Sequence, residues 1–190
     1  MGERSVKSSE KLVSLYEPDT RVIVRGKAGA EVEFGNMAFI SEQKNGVITD
    51  WKLYKEQSPS DSACLMESLD RLKKEGLSPT QATGDRGTFS KKNAKLLLKQ
   101  GIQNNLCPRN VEQMRDRYQQ EDFSRHQLRR GQTEGRMGII KNCFLGSPFR
   151  NKGFESREKG LAWSILAHNL WVLARLPRAG LANDILPLAA

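Results

Sequence analysis

The chain has little of what most metal and nucleophile sites are built from: 190 residues contain three cysteines and two histidines. Cys64, Cys107 and Cys143 are odd in number, widely separated and without a Cys-x-x-Cys pair, so neither a zinc site nor a disulfide framework is indicated, and reduced thiols are expected. With only His126 and His168 present, nothing in the residue order assembles a Ser-His-Asp or Cys-His nucleophile. There is no apolar run of membrane-spanning length and no basic amphipathic segment with a broad aromatic face, which sets a membrane partner aside. The amino end, MGERSVKSSEK, has neither an apolar signal core nor an arginine-rich amphipathic pattern, so a cytoplasmic location is expected. No internal repeat is found.

What the chain does have is positive charge. Lysine and arginine outnumber the acids 31 to 22, for a formal net charge of +9. Such a surplus attracts phosphate whatever the base sequence, and nucleic acid is the expected partner. The length suits one buried core. A polar tail over 1–12, one domain over 13–176 and a weakly specified apolar tail over 177–190 are expected.

Along the chain, a turn at Glu17 to Thr20 precedes a short β-branched run, Val22 to Val24, and a basic glycine loop, Arg25 to Gly29. Val32, Phe34, Met37, Phe39 and Ile40 predict one partly buried strand. Asn45-Gly46 then gives a hairpin turn, and Val47 to Tyr54 a return strand. Ser58-Pro59-Ser60-Asp61 starts a helix carrying Cys64, Leu65, Leu69 and Leu72, which reads Asp61 as an ordinary first-turn acid. Gly76 closes it. Thr80 to Asp85 predicts a short strand that delivers Asp85 at its carboxyl end, before a glycine turn and a helix capped by Ser90. Ile102 to Cys107 returns as a strand. Asn110 to Gln127, dense in charge, is expected to be an exposed insertion. The last helix, Leu161 to Leu176, is apolar over most of its circumference and is expected to be buried, with His168 as a hydrogen-bonded core residue.

Gln127 to Lys141 is the stretch to which the rest is referred. On a helix Gln127, Arg130, Glu134 and Lys141 share one face, while Leu128, Met137, Ile139 and Ile140 fall largely elsewhere. Gly131 and Gly135 each cost about 1 kcal/mol of helix stability. They suggest either a close backbone approach or a later helix start.

The spacing Arg130, Glu134, Lys141 resembles the Tyr-x2-Arg-x3-Glu-x6-Lys motif of bacterial DDE-type insertion-sequence transposases, with Gln127 where the family more often has Tyr. Glu33-Phe34-Gly35, the block Gly84-Asp85-Arg86-Gly87 and His168-Asn169-Leu170 extend the resemblance from about Leu12 to Leu176. It implies an α/β, RNase H-like mixed sheet with flanking helices, lacking its first, central strand. It also implies a carboxyl-terminal portion of a longer transposase, which is expected to be marginally stable alone. The implied activity is metal-dependent DNA strand cleavage and strand transfer, acting on transposon ends and target DNA as a homo-oligomer when complete.

Asp85 and Glu134 are the implied catalytic acids and ligands for Mg²⁺ or Mn²⁺. Carboxylate-held pairs of such ions, roughly 4 Å apart, can activate one oxygen and stabilise the departing one. Arg130, Lys141, Arg129, Arg86 and Lys152 are the implied DNA contacts. The family's first Asp precedes the hairpin. Asp19 is the upstream candidate for that ligand, although it sits in a proline turn, and Asp50 on the return strand is an outside one. Two other functions fit the composition: a basic DNA-binding module without catalysis, and an RNase H-like nuclease that cuts without joining.

Overall fold

A computed structural model describes residues 13–27, 30–146 and 149–176 of the chain. The expected tails, 1–12 and 177–190, and part of the basic glycine loop lie outside the described residues.

Two hairpins come first. β1 (Arg21–Lys27) pairs antiparallel with β2 (Ala30–Gly35), and β3 (Ala38–Glu42) pairs antiparallel with β4 (Ile48–Leu53). The single strand expected over Val32 to Ile40 is therefore two strands with different partners. Gly35 ends the first at a φ of 149°, and Asn36 then donates to the carbonyls of Asp19 and Tyr54, both at 3.0 Å. The Asn45-Gly46 turn forms as expected, with Gly46 at a φ of 91°, the left-handed region glycine tolerates.

α1 (Asp61–Lys74) is capped by the Ser60 hydroxyl, and Gly76 ends it at a φ of 76°. β5 (Gln81–Gly84) and β6 (Gln103–Leu106) pair in parallel, joined through α2 (Lys91–Lys99), which Ser90 caps. α3 (Val111–Tyr118) and α4 (Glu121–Ile139) follow. The charged segment after Asn110 is thus not a loose insertion: it holds α3 and the first two turns of α4, with Phe123 fully buried. A π-helical segment (Ile140–Leu145) leads to α5 (Phe154–Leu173).

Side-chain alternation sorts these elements into layers. Phe39 packs with Leu65, Leu69, Ala82, Leu97 and Leu106, on the side of α1 and α2. Its neighbours Ala38 and Ile40 pack with Ile140, Leu161 and Ile165, on the side of α4 and α5. On β4, Trp51 and Leu53 join that second cluster. Asp50 turns the other way, to a bidentate pair with Arg71 of α1 at 2.8 and 2.7 Å. The architecture is a mixed α/β arrangement, with strands between two helical layers.

α1 packs across both the β3–β4 and the β5–β6 sheets. Leu65 and Leu69 meet β5 and β6, Ser68 meets Ser41 of β3 at 2.8 Å, and Glu67 and Arg71, further round the helix, meet β4. Strand directions follow as well: α1 meets Tyr54 before Asp50, and its first residue, Asp61, lies beside Gly87 just past β5, so β4 and β5 both run opposite to α1. The β3–β4 and β5–β6 sheets share no strand pairing. The finer RNase H-like identity is taken up below.

α4 and α5 are bound to the strands by buried polar groups. Glu42, its side chain 5% exposed, takes Arg136 at 2.5 Å, Arg129 at 3.5 Å and the Thr133 hydroxyl at 2.7 Å. Asn169 lies against Ile48 as a peptide would, accepting its N–H at 2.9 Å and donating to its carbonyl at 2.8 Å. The expected full burial of α5 is corrected: Leu161, Ile165, His168 and Val172 are buried, but Trp163, Leu166, Leu170, Trp171 and Leu173 face outward. Among the described residues nothing lies within 4 Å of a Cβ built on Gly131 or Gly135, and both lie inside a helix that starts earlier than expected, not later.

Two stability predictions follow from these contacts. Glu42→Gln removes the charge that the half-buried Arg129 and Arg136 guanidinium groups face, Arg129 keeping its two loop carbonyls, and about 1–3 kcal/mol of unfolding free energy should be lost in urea titrations. His168 is fully buried, between Phe144 and Trp171, and burial holds its pKa below the usual histidine value. The fold therefore favours neutral imidazole. Histidine costs nothing above its unfolded pKa of about 6.5, and stability falls as pH drops below that value. Urea midpoints at pH 7.5 and 5.5 should diverge in the wild type and converge in His168→Gln.

Candidate functional site

Glycines make the turn after β5 tight. A Cβ on Gly84 would sit 2.3 Å from the Thr88 hydroxyl, and one on Gly87 would sit 2.5 Å from an Asp61 carboxylate oxygen and 3.2 Å from Oδ1 of Asp85. Asp85, exposed, stands where the sequence places it, at the carboxyl end of a strand. Its Oδ1 accepts the Thr88 N–H at 3.0 Å. Asp61 occupies the first turn of α1 as expected, with Ser60 as the cap, yet its carboxylate points to the same turn as Asp85.

α4 reaches this turn through Gln127. The side chain is 6% exposed, and its amide donates to the Gly84 carbonyl at 3.2 Å and to the Asn105 carbonyl at 2.7 Å. One residue on α4 thereby ties the carboxyl ends of both parallel strands, next to Asp85. Arg130 and Glu134 lie one and two turns further along the Gln127 face. Glu134 carries an ion pair to Arg130 at 2.8 Å and is 70% exposed. The face is buried where strands lie under it and open where they do not.

No family model, curated protein or solved structure matches the chain. The site's chemistry therefore rests on its own geometry.

Asp19 is held in its turn at 3.5 Å from the Lys55 ammonium, near the carboxyl end of β4. Among the described residues no hydrogen bond or ion pair joins Asp19 to Asp85 or Glu134. Asp50 faces α1 in its pair with Arg71. Among the described residues, no three or more His, Cys, Asp or Glu side chains converge to hold a metal ion. Asp85 and Glu134 alone do not fit a closed Mg²⁺ or Mn²⁺ site.

The expected DNA-contact residues divide in two. Arg86, Lys141 and Lys152 are exposed, and Arg86 rests one guanidinium nitrogen 3.0 Å from the Met114 sulfur. Lys141 lies past the end of α4, in the π-helical segment, where α spacing no longer sets its direction. Arg129 turns inward, donating to the Gln43 and Lys44 carbonyls and facing Glu42, so its observed task is to hold the hairpin loop.

Sequence reasoning missed what Gln127 does. The signal was a polar residue two turns before Glu134, in a segment otherwise read as exposed. Gln127→Ala removes the amide from the Asn105 carbonyl and leaves the Gly84 carbonyl with the Cys107 N–H alone, and should lower unfolding free energy by about 1–3 kcal/mol. Hydrogen exchange should localise the loosening to β5, β6 and the first half of α4.

Proposed function

We propose that the chain is the carboxyl-terminal part of a DDE-type transposase catalytic domain, RNase H-like in fold, which in complete form cuts DNA and joins the freed 3′-OH to a target. The observation that carries this reading is the Gln127 bridge. It brings the helix bearing Arg130 and Glu134 to the strand end bearing Asp85, so acids 49 residues apart in sequence are served by one junction. Rigid elements that present acids at strand ends suit phosphodiester chemistry better than loops.

The reading carries a requirement. Asp85 and Glu134 need a further carboxylate to hold Mg²⁺ or Mn²⁺, and an additional strand between the β3–β4 and β5–β6 sheets would present it. That strand would pair with one edge of each sheet and make them one, the arrangement expected of an RNase H-like sheet. Arg86, Arg130, Lys141 and Lys152 would then meet the DNA backbone, consistent with the basic surplus of the chain. Phosphate contacts of this kind position DNA without reading its sequence.

Nicking and strand joining of DNA with Mn²⁺, measured on this chain and on a form extended upstream in its reading frame, test the proposal. The extended form should nick and join, and Asp85→Asn or Glu134→Gln should each lower that activity at least about 1,000-fold while salt-sensitive DNA binding persists. Binding without cleavage in every form would identify a DNA-binding module instead. Nicking without joining would identify a nuclease.

A further inference from the structure

The outward face of α5 is apolar along its length. Trp163 is 70% exposed, Leu166 47%, Leu170 58%, Leu173 51% and Trp171 37%. Weighted by side-chain size, these leave roughly 500 Å² of contiguous apolar surface open, near the upper end of what a monomer shows. The opposite face of the same helix is already buried in the core through Leu161, Ile165 and Val172. Of the five outward-facing residues Trp171 is partly engaged, against Phe144, His168 and the Arg175 guanidinium.

Its spacing is specific. Trp163, Leu166, Leu170 and Leu173 follow one another at intervals of three, four and three residues, the seam of two helices packed side by side. Ala167 and Ala174 flank the seam, and their small side chains let a second helix approach closely. The series is also symmetric about its midpoint. In an antiparallel pair, Leu166 meets Leu170 of a second copy while Trp163 meets Leu173, so one register matches every large residue with another. This is the self-complementarity that a twofold interface demands. Two such faces together remove roughly 1,000 Å² from water, the lower end for a specific complex.

We infer that α5 is a dimerisation helix, whose Trp163–Leu173 face packs antiparallel on the same face of a second copy of this chain. The inference stands apart from the transposase reading, since it uses no residue of the Asp85 and Glu134 region.

Sedimentation equilibrium of the whole chain, from about 1 to 100 µM, reads the association directly. The wild type should be dimeric. Leu166→Lys and Leu170→Glu, both on the solvent side of α5, should each keep wild-type circular dichroism and raise the dimer dissociation constant at least about 100-fold. An equimolar mixture of the two variants should regain dimer, because the antiparallel register sets the new lysine against the new glutamate and leaves a leucine pair intact. Parallel packing offers no such match, so a mixture that stays monomeric overturns the register. Should either charged variant unfold, Leu166→Ala and Leu170→Ala replace it, with an expected weakening of at least about tenfold. A wild type that is monomeric throughout overturns the proposal, whether residues 177–190 cover the face or it remains open. So does a dimer indifferent to these substitutions.

Discussion

A primary amide buried against two strand carbonyls is the contact on which the arrangement depends. Gln127 can make it because an amide donates two hydrogens, and the parallel pairing of β5 and β6 leaves the carbonyls of Gly84 and Asn105 within its reach. A leucine there would bury as well but supply neither donor, leaving the Gly84 carbonyl only the Cys107 N–H. A tyrosine, the residue more often found at this place in the family the motif resembles, offers a single hydroxyl hydrogen. The direction of α4 over the strands, and with it the position of Arg130 and Glu134, is set by this bond at one end and by the Glu42 cluster further along.

α1 has the complementary task on the other side. It presents leucines to β5 and β6, a serine to β3, and an arginine and a glutamate to β4. One helix thus aligns two sheets that share no hydrogen bond. Apolar burial supplies the attraction on one flank of the helix. On the other, charged pairs specify which strand lies where, since the Asp50–Arg71 fork fits one register only.

Much of this was legible in the sequence, and the reasons divide by residue type. Local signals transferred well: Ser60 and Ser90 cap the helices they precede, Asn45-Gly46 makes the turn, and Asp85 ends a strand. These depend on neighbours within a few positions. What failed depended on distant partners. The run from Val32 to Ile40 keeps its apolar content while changing the strand it pairs with at Asn36, and composition carries no mark of such a change. The polar segment after Asn110 was read as exposed because charge density hid Phe123 and Gln127, whose partners lie elsewhere in the chain. All-round apolarity in α5 was read as all-round burial, yet hydrophobicity states that a face will be covered and not by what. The acids behaved likewise: local pattern put Asp85 at a strand end and Glu134 on a helix, whereas the turn of the Asp61 carboxylate toward Asp85 depends on a glycine 26 residues later.

Asn169 bears on how the strand layer can grow. An outer strand normally offers its free amides and carbonyls to any extended segment that drifts past, which is how native sheets become templates for fibres. At Ile48 of β4 both groups are already held by the asparagine, with α5 standing behind it. An extended segment drifting past β4 finds those two groups taken, so pairing that includes Ile48 must first displace Asn169 and the helix that carries it.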